Sequence, residues 1–190
     1  MTEILLTQNP LTALGGRTPR VDTVGHLTLT ENPDLALASV TARQGQEAAC
    51  QHHLVALLDA VPAPGRATER ADEAGFWIGP DAWMIATTLA RDADLAAALK
   101  QRFGESASIT EQTDGWVVFD LQGEGIVAAM ELLCPVDLRR MDPGGVQRTT
   151  LDHLGCFVWW RGQEAGLRIL GPRSAAGSLH HALLTAMGAI

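Results

Sequence analysis

The sequence contains no tyrosine, one lysine and only three cysteines. Each scarcity removes a class of function. Lys100 lies in the helical context Leu99-Lys100-Gln101, so a phosphate-cradling loop that ends in lysine is missing. Cys50, Cys134 and Cys156 are odd in number and form no C-x-x-C pair. Neither a disulfide framework nor a zinc ribbon is supported. No run approaches the roughly 18 apolar residues that cross a bilayer. Met1 to Leu6 carries no basic stretch, so no export leader and a cytoplasmic location are expected. Basic residues number 14 against 22 acidic ones, a net charge of −8. That balance argues against nucleic acid, whose phosphates need clustered cations.

What remains is a 190-residue chain that is 46% apolar, enough for one full domain or two small ones. Every basic residue except Lys100 is arginine, whose planar fork suits carboxylate pairing at interfaces. There are five tryptophans.

Residues 1–26 hold Pro10, Gly15, Gly16, Pro19 and Gly25 and read as an extended arm, of a kind that orders against a partner. Leu27 to Thr30 and Leu35 to Val40 alternate like strands, and Asn32-Pro33-Asp34 between them predicts a hairpin. Cys50, Leu54, Leu57, Leu58 and Val61 form an apolar helical stripe, ended by Pro62. Ala67 to Glu73 is charged and reads as a loop. Strands follow around Gly79-Pro80-Asp81. Asp92 or Asp94 is positioned to cap a helix lined by Leu95, Leu99 and Phe103, with Gly104 at its end.

The second half replays this order. Thr30-Glu31-x-x-Asp34 matches Thr110-Glu111-x-x-Asp114. The stripe from Cys50 to Leu58 matches Ile126, Met130, Leu133 and Cys134. Phe76-Trp77-Ile78 matches Phe157-Val158-Trp159, and Leu95, Leu99, Phe103 match Leu179, Leu183, Met187. The expected fold is α+β: duplicated ferredoxin-like units, each an antiparallel sheet covered by two helices. The expected boundaries are 1–26 for the arm, 27–104 for the first unit and 105–190 for the second.

No catalytic set emerges. His52-His53 and His180-His181 are neighbours on helices, and neighbours do not face one another. Cys50 and Cys134 lie on buried stripes. Gly123-Glu124-Gly125 lacks the third glycine of a dinucleotide fingerprint and reads as a strand-to-helix turn. No metal ligands are expected, and the cofactor-binding residues stay unassigned. Two features suggest a partner. Arg139, Arg140, Arg148, Arg161, Arg168 and Arg173 crowd the second half of an acidic chain. Trp159 and Trp160 are adjacent on a strand and must point to opposite faces. One ring therefore leaves the helix-covered core, where something else has to cover it. Trp159, Trp160, Arg148 and Arg173 are the candidate interface residues.

Several segments, in this order, resemble the gamma subunit family of bacterial heterotetrameric sarcosine oxidases. They are Phe76-Trp77-Ile78-Gly79-Pro80-Asp81-Ala82-Trp83-Met84, Cys134-Pro135-Val136-Asp137-Leu138 with Pro143-Gly144, Arg148-Thr149-x-Leu151-x-His153, and Arg173 to Leu179. Ala175-Ala176 and Met141 stand where that family commonly has an aromatic. The resemblance implies an accessory chain without catalytic residues, partnered by alpha, beta and delta subunits. The assembly demethylates sarcosine to glycine, makes hydrogen peroxide and passes a one-carbon unit to tetrahydrofolate. It implies FAD, FMN, NAD and tetrahydrofolate in the holoenzyme, with zinc in the delta subunit. It also implies a fold similar to the folate-binding aminomethyltransferase module. The alternative is a stand-alone folate-binding one-carbon protein, with the arginines holding folate carboxylates.

Overall fold

The computed structural model describes residues 12–190. They form two antiparallel sheets, of six and five strands, with four α-helices. By contact pattern the chain divides into an inserted unit, Asp34–Asp114, and a split unit made of residues 12–33 and Gly115–Ile190.

The inserted unit contains β3 (Leu35–Ala42), α1 (Glu47–Leu58), β4 (Ala67–Arg70), β5 (Glu73–Gly79), β6 (Ala82–Thr88), α2 (Leu95–Phe103) and β7 (Ala107–Glu111). Its sheet order is β4-β5-β6-β3-β7. Cys50, Leu54, Leu57 and Leu58 of α1 and Leu95, Leu99 and Phe103 of α2 close one core over Ala38, Val40, Trp83 and Ile85. The stripe is helical to Leu58. Asp59 then turns left-handed and returns its N–H to the Val55 carbonyl, so Val61 lies beyond the helix. Asp94 caps α2 by accepting from the Ala97 N–H at 3.1 Å.

The split unit contains β1 (Val21–Val24), β2 (Leu27–Glu31), β8 (Trp116–Gly123), α3 (Ile126–Glu131), β9 (Gly145–Leu151), β10 (Leu154–Trp160), β11 (Leu167–Pro172) and α4 (Ala176–Met187). Its order is β1-β2-β8-β11-β10-β9. Leaving out β1, this is the order of the inserted unit with β9 for β4, β10 for β5, β11 for β6, β8 for β3 and β2 for β7. The predicted duplication and the α+β class therefore stand.

Three expectations change. Leu27–Glu31 and Leu35–Ala42 do not form a hairpin. β2 pairs with β8, Leu29 opposite Leu121, while β3 pairs with β6 and β7. The first strand of each repeat lies in the sheet built mainly by the other repeat. The expected boundaries 27–104 and 105–190 therefore move to 34 and 114, because β2 and β7 change places. A matching pair of hydrogen bonds marks the two junctions: Asn32 N–H to the Val118 carbonyl, and Gln112 N–H to the Leu37 carbonyl. The expected loop at Ala67 to Glu73 instead contains β4, paired with β5 through four residues.

The third change is the arm. Its first 11 residues lie outside the described chain, but residues 12–26 are fastened to their own unit. β1 pairs with β2. Glu31 is buried (2% exposed), and one carboxylate oxygen accepts from the Ala13 and Leu14 N–H groups at 2.6 and 3.1 Å. The other accepts from the Arg20 N–H at 3.1 Å. A carboxylate has the lone pairs for three donors, and this one gathers the segment into a loop.

Gly123 is required where β8 leaves the sheet. Its φ is +113°, and a Cβ there would sit 1.9 Å from the His26 carbonyl oxygen.

Candidate functional site

A fully engaged carboxylate lies at the centre of the split unit's sheet. Antiparallel register sets Arg168 of β11 opposite Asp120 of β8. The fork meets the carboxylate at 2.7 Å (Nε to Oδ1) and 2.9 Å (Nη2 to Oδ2). Asn32, just past β2, donates its side-chain amide to the same Oδ2 at 2.8 Å. Burial pushes the Asp120 carboxyl up, but the Arg168 hydrogen bonds and charge and the Asn32 amide outweigh it and leave it below the ordinary value. Such a carboxylate stays ionised and both its oxygens are engaged. It ties three segments together and is not available as a general base.

Trp159 of β10 lies opposite Arg168. The Arg168 and Arg161 guanidinium carbons lie 5.8 and 5.7 Å from its ring centroid, within cation–π range. Trp159 is 1% exposed and Trp160 7%. The two rings do take opposite faces, and Trp160 belongs to the core under α3 and α4. Both rings are buried in the chain as described, where their adjacency led one of them to be expected at a partner surface. A single sequence shows that two faces exist but not that both are covered.

The two arginines are placed differently. Arg148 is exposed on β9, its guanidinium 5.8 Å from the Phe157 ring centroid. Arg173 opens the turn before α4 and donates to the Thr12 carbonyl at 3.4 Å, a contact with the arm's first described residue. Two other arginines of the second half are held by carboxylates. Arg139 pairs with Glu131, and Arg168 with Asp120.

One polar contact had no signal in the sequence, its members lying 158 positions apart. His180 of α4, 8% exposed, meets the Asp22 carboxylate of β1 through Nε2 at 2.7 Å. Arg20 meets the same carboxylate through Nε at 3.0 Å. Hydrogen bonds from Arg20 and then His180 lower the Asp22 carboxyl despite some desolvation. The buried thiols are poor nucleophiles. Burial, with a smaller push from Asp81, raises Cys50 to about 11, and burial raises Cys156 to about 11 as well. Burial also pushes Cys134 up. Thiolate is the reactive form, so none of the three is prepared for attack. Among the described residues no group of three or more His, Cys, Asp or Glu side chains is placed to hold a metal.

Two clefts open among the described residues of the split unit. One, of about 320 Å³, is lined by Val24, His26, Leu27, Glu124, Met187 and Ile190, among others. The other, of about 270 Å³, lies between Leu132, Leu133, Pro135, Thr150, Asp152 and His153. A reduced folate needs an aromatic or apolar slot, a polar group for its pterin edge and a cation for its glutamyl carboxylates. Neither cleft is lined by an arginine, a lysine or an aromatic ring other than histidine. Neither of these two clefts fits a folate.

The fold places the chain in a class. Two ferredoxin-like units, each an antiparallel sheet with two helices, are a fold shared with aminomethyltransferase-like structures. Two solved structures represent it. The chain superposes on a heterotetrameric sarcosine oxidase from Corynebacterium sp. U-96 with a TM-score of 0.74 and 24% identity, over 88% of this chain and 86% of that one. It superposes on the glycine cleavage system aminomethyltransferase T from Bartonella henselae with a TM-score of 0.65 and 16% identity. That match covers 85% of this chain but 46% of the transferase, so the chain spans less than half its length. No protein-family model and no curated protein matches the sequence.

Proposed function

We propose that this chain is the accessory gamma subunit of a heterotetrameric sarcosine oxidase. One observation carries the reading: the fold follows a chain of such an oxidase over 86% of that chain's length. The ordered motif series from Phe76 to Leu179 supports the same choice. In this reading FAD, FMN, NAD and tetrahydrofolate belong to the larger partner chains and zinc to the delta chain. No helix among the described residues is long and apolar enough to cross a membrane, and the proposed setting is the cytoplasm.

The test is omission. The partner chains are expressed with and without this one, and flavin content and sarcosine-dependent peroxide formation are measured. Loss of either without this chain supports the reading, and equal values contradict it.

The second reading, a folate-binding one-carbon protein acting alone, draws on the likeness to aminomethyltransferase T. Calorimetry with tetrahydrofolate decides: a Kd tighter than roughly 10 μM, about −7 kcal/mol, would promote it, and no heat would remove it.

A further inference from the structure

We propose that β9 is a docking edge, which takes an extended, acidic segment of a partner chain as an added strand. The proposal rests on the accessory-subunit reading and names the surface through which assembly occurs. β9 is the last strand of the six-stranded sheet, so among the described residues one side of it meets no other strand. The phase of its hydrogen bonds follows from β10. Arg161 donates its N–H to the Gly166 carbonyl, and alternation then directs the backbone of Trp159 and Phe157 toward β11. The backbone of Val158 and Cys156 faces β9, where their partners are Gln147 and Thr149. Val146, Arg148 and Thr150 therefore turn their N–H and C=O groups outward. Three consecutive outward pairs are a template for strand addition.

Two features select the occupant. Arg148 is the middle residue of β9 (Gly145–Leu151). A second copy pairing antiparallel about that centre would set two guanidinium groups opposite each other, which is unfavourable. A carboxylate opposite Arg148 is favourable for the same reason. The neighbours of that acidic residue turn to the other face, the one α3 covers. Beside the end of β9 on that side, Leu132, Leu133 and Pro135 line the apolar part of the 270 Å³ cleft, whose polar part is Thr150, Asp152 and His153. Leu132 is 59% exposed, the most of any large apolar side chain among the described residues. An apolar residue next to the acidic one fills that cleft, an anchor of the kind that dominates interface energy. The partner segment thus alternates acidic and apolar.

The test uses the whole chain co-expressed with the alpha, beta and delta chains. Arg148→Glu reverses the charge. Thr150→Pro removes one outward N–H and leaves the β9–β10 bonds intact, since Thr150 does not bond to β10. Thermal unfolding of each isolated variant checks folding, and Arg148→Glu at an exposed site decides alone if the proline variant unfolds. The expected result is wild-type assembly, with at least a tenfold loss of affinity for the partner chains in both variants. Wild-type affinity in the folded variants overturns the docking edge while the accessory reading stands. Failure of the wild-type chain to assemble overturns both. A dimer of the isolated chain that Arg148→Glu abolishes also overturns the proposal.

Discussion

Single residues do most of their work here through buried charge. Arg168 is 12% exposed and keeps its fork on Asp120. Removing the carboxylate strands a guanidinium inside the sheet. Asp120→Ala should therefore cost about 3 kcal/mol, read as a shift in urea midpoint. Acid should act in the same direction. Asp22 and Asp120 lie below the ordinary 3.8 when folded. Their stabilisation is complete above that value and is lost as pH falls through the folded values. The midpoint should hold from neutral pH to about pH 5 and drop below about pH 4, with a smaller drop in Asp120→Asn. The three buried thiols should stay unlabelled by a thiol reagent at neutral pH and react once the chain is unfolded. At this scale the sequence was legible where burial follows spacing, as at Cys50 on its stripe. It was illegible where a bond joins distant positions, as between His180 and Asp22.

Elements were legible when their own pattern sufficed. The stripes of α1, α2 and α4 are local, and so are the Asp94 cap and the Gly123 turn. β4 was missed because Ala67–Arg70 has no apolar alternation: it is an edge strand with two exposed residues, held by pairing with β5. The hairpin was misread for a different reason. Alternation marks a strand but does not name its neighbour, and sequential strands pair more often than not. The arm was half legible. Its glycines and prolines signal irregular backbone, but the acceptor that fastens it, Glu31, lies on a strand where a charge looks exposed. Glu31→Ala should release residues 12–20. Trypsin cleavage after Arg17 and Arg20 should then be at least tenfold faster than in the wild type, as local opening becomes cheap. Unchanged cleavage would show that β1 pairing alone holds the segment.

The whole molecule turns on the exchange of β2 and β7. A fragment covering residues 34–114 contains all five strands of its sheet and both of its helices. A fragment covering 27–104 loses β7 and carries β2 without a place in the sheet. The first should show a cooperative thermal transition by circular dichroism and the second should not. If 27–104 folds as well as 34–114, the exchanged pairing is wrong. The duplication itself was readable because offsets near 80 residues survive in four places, whereas the exchange leaves no mark on spacing.

The central claim is that the chain works as part of a larger oxidase. Native mass spectrometry of the co-expressed alpha, beta, gamma and delta chains tests it most directly. The account predicts one assembly that contains this 20.3 kDa chain once, with flavin retained. An assembly of the other three chains at full flavin content, with this chain left over as free monomer, would contradict it.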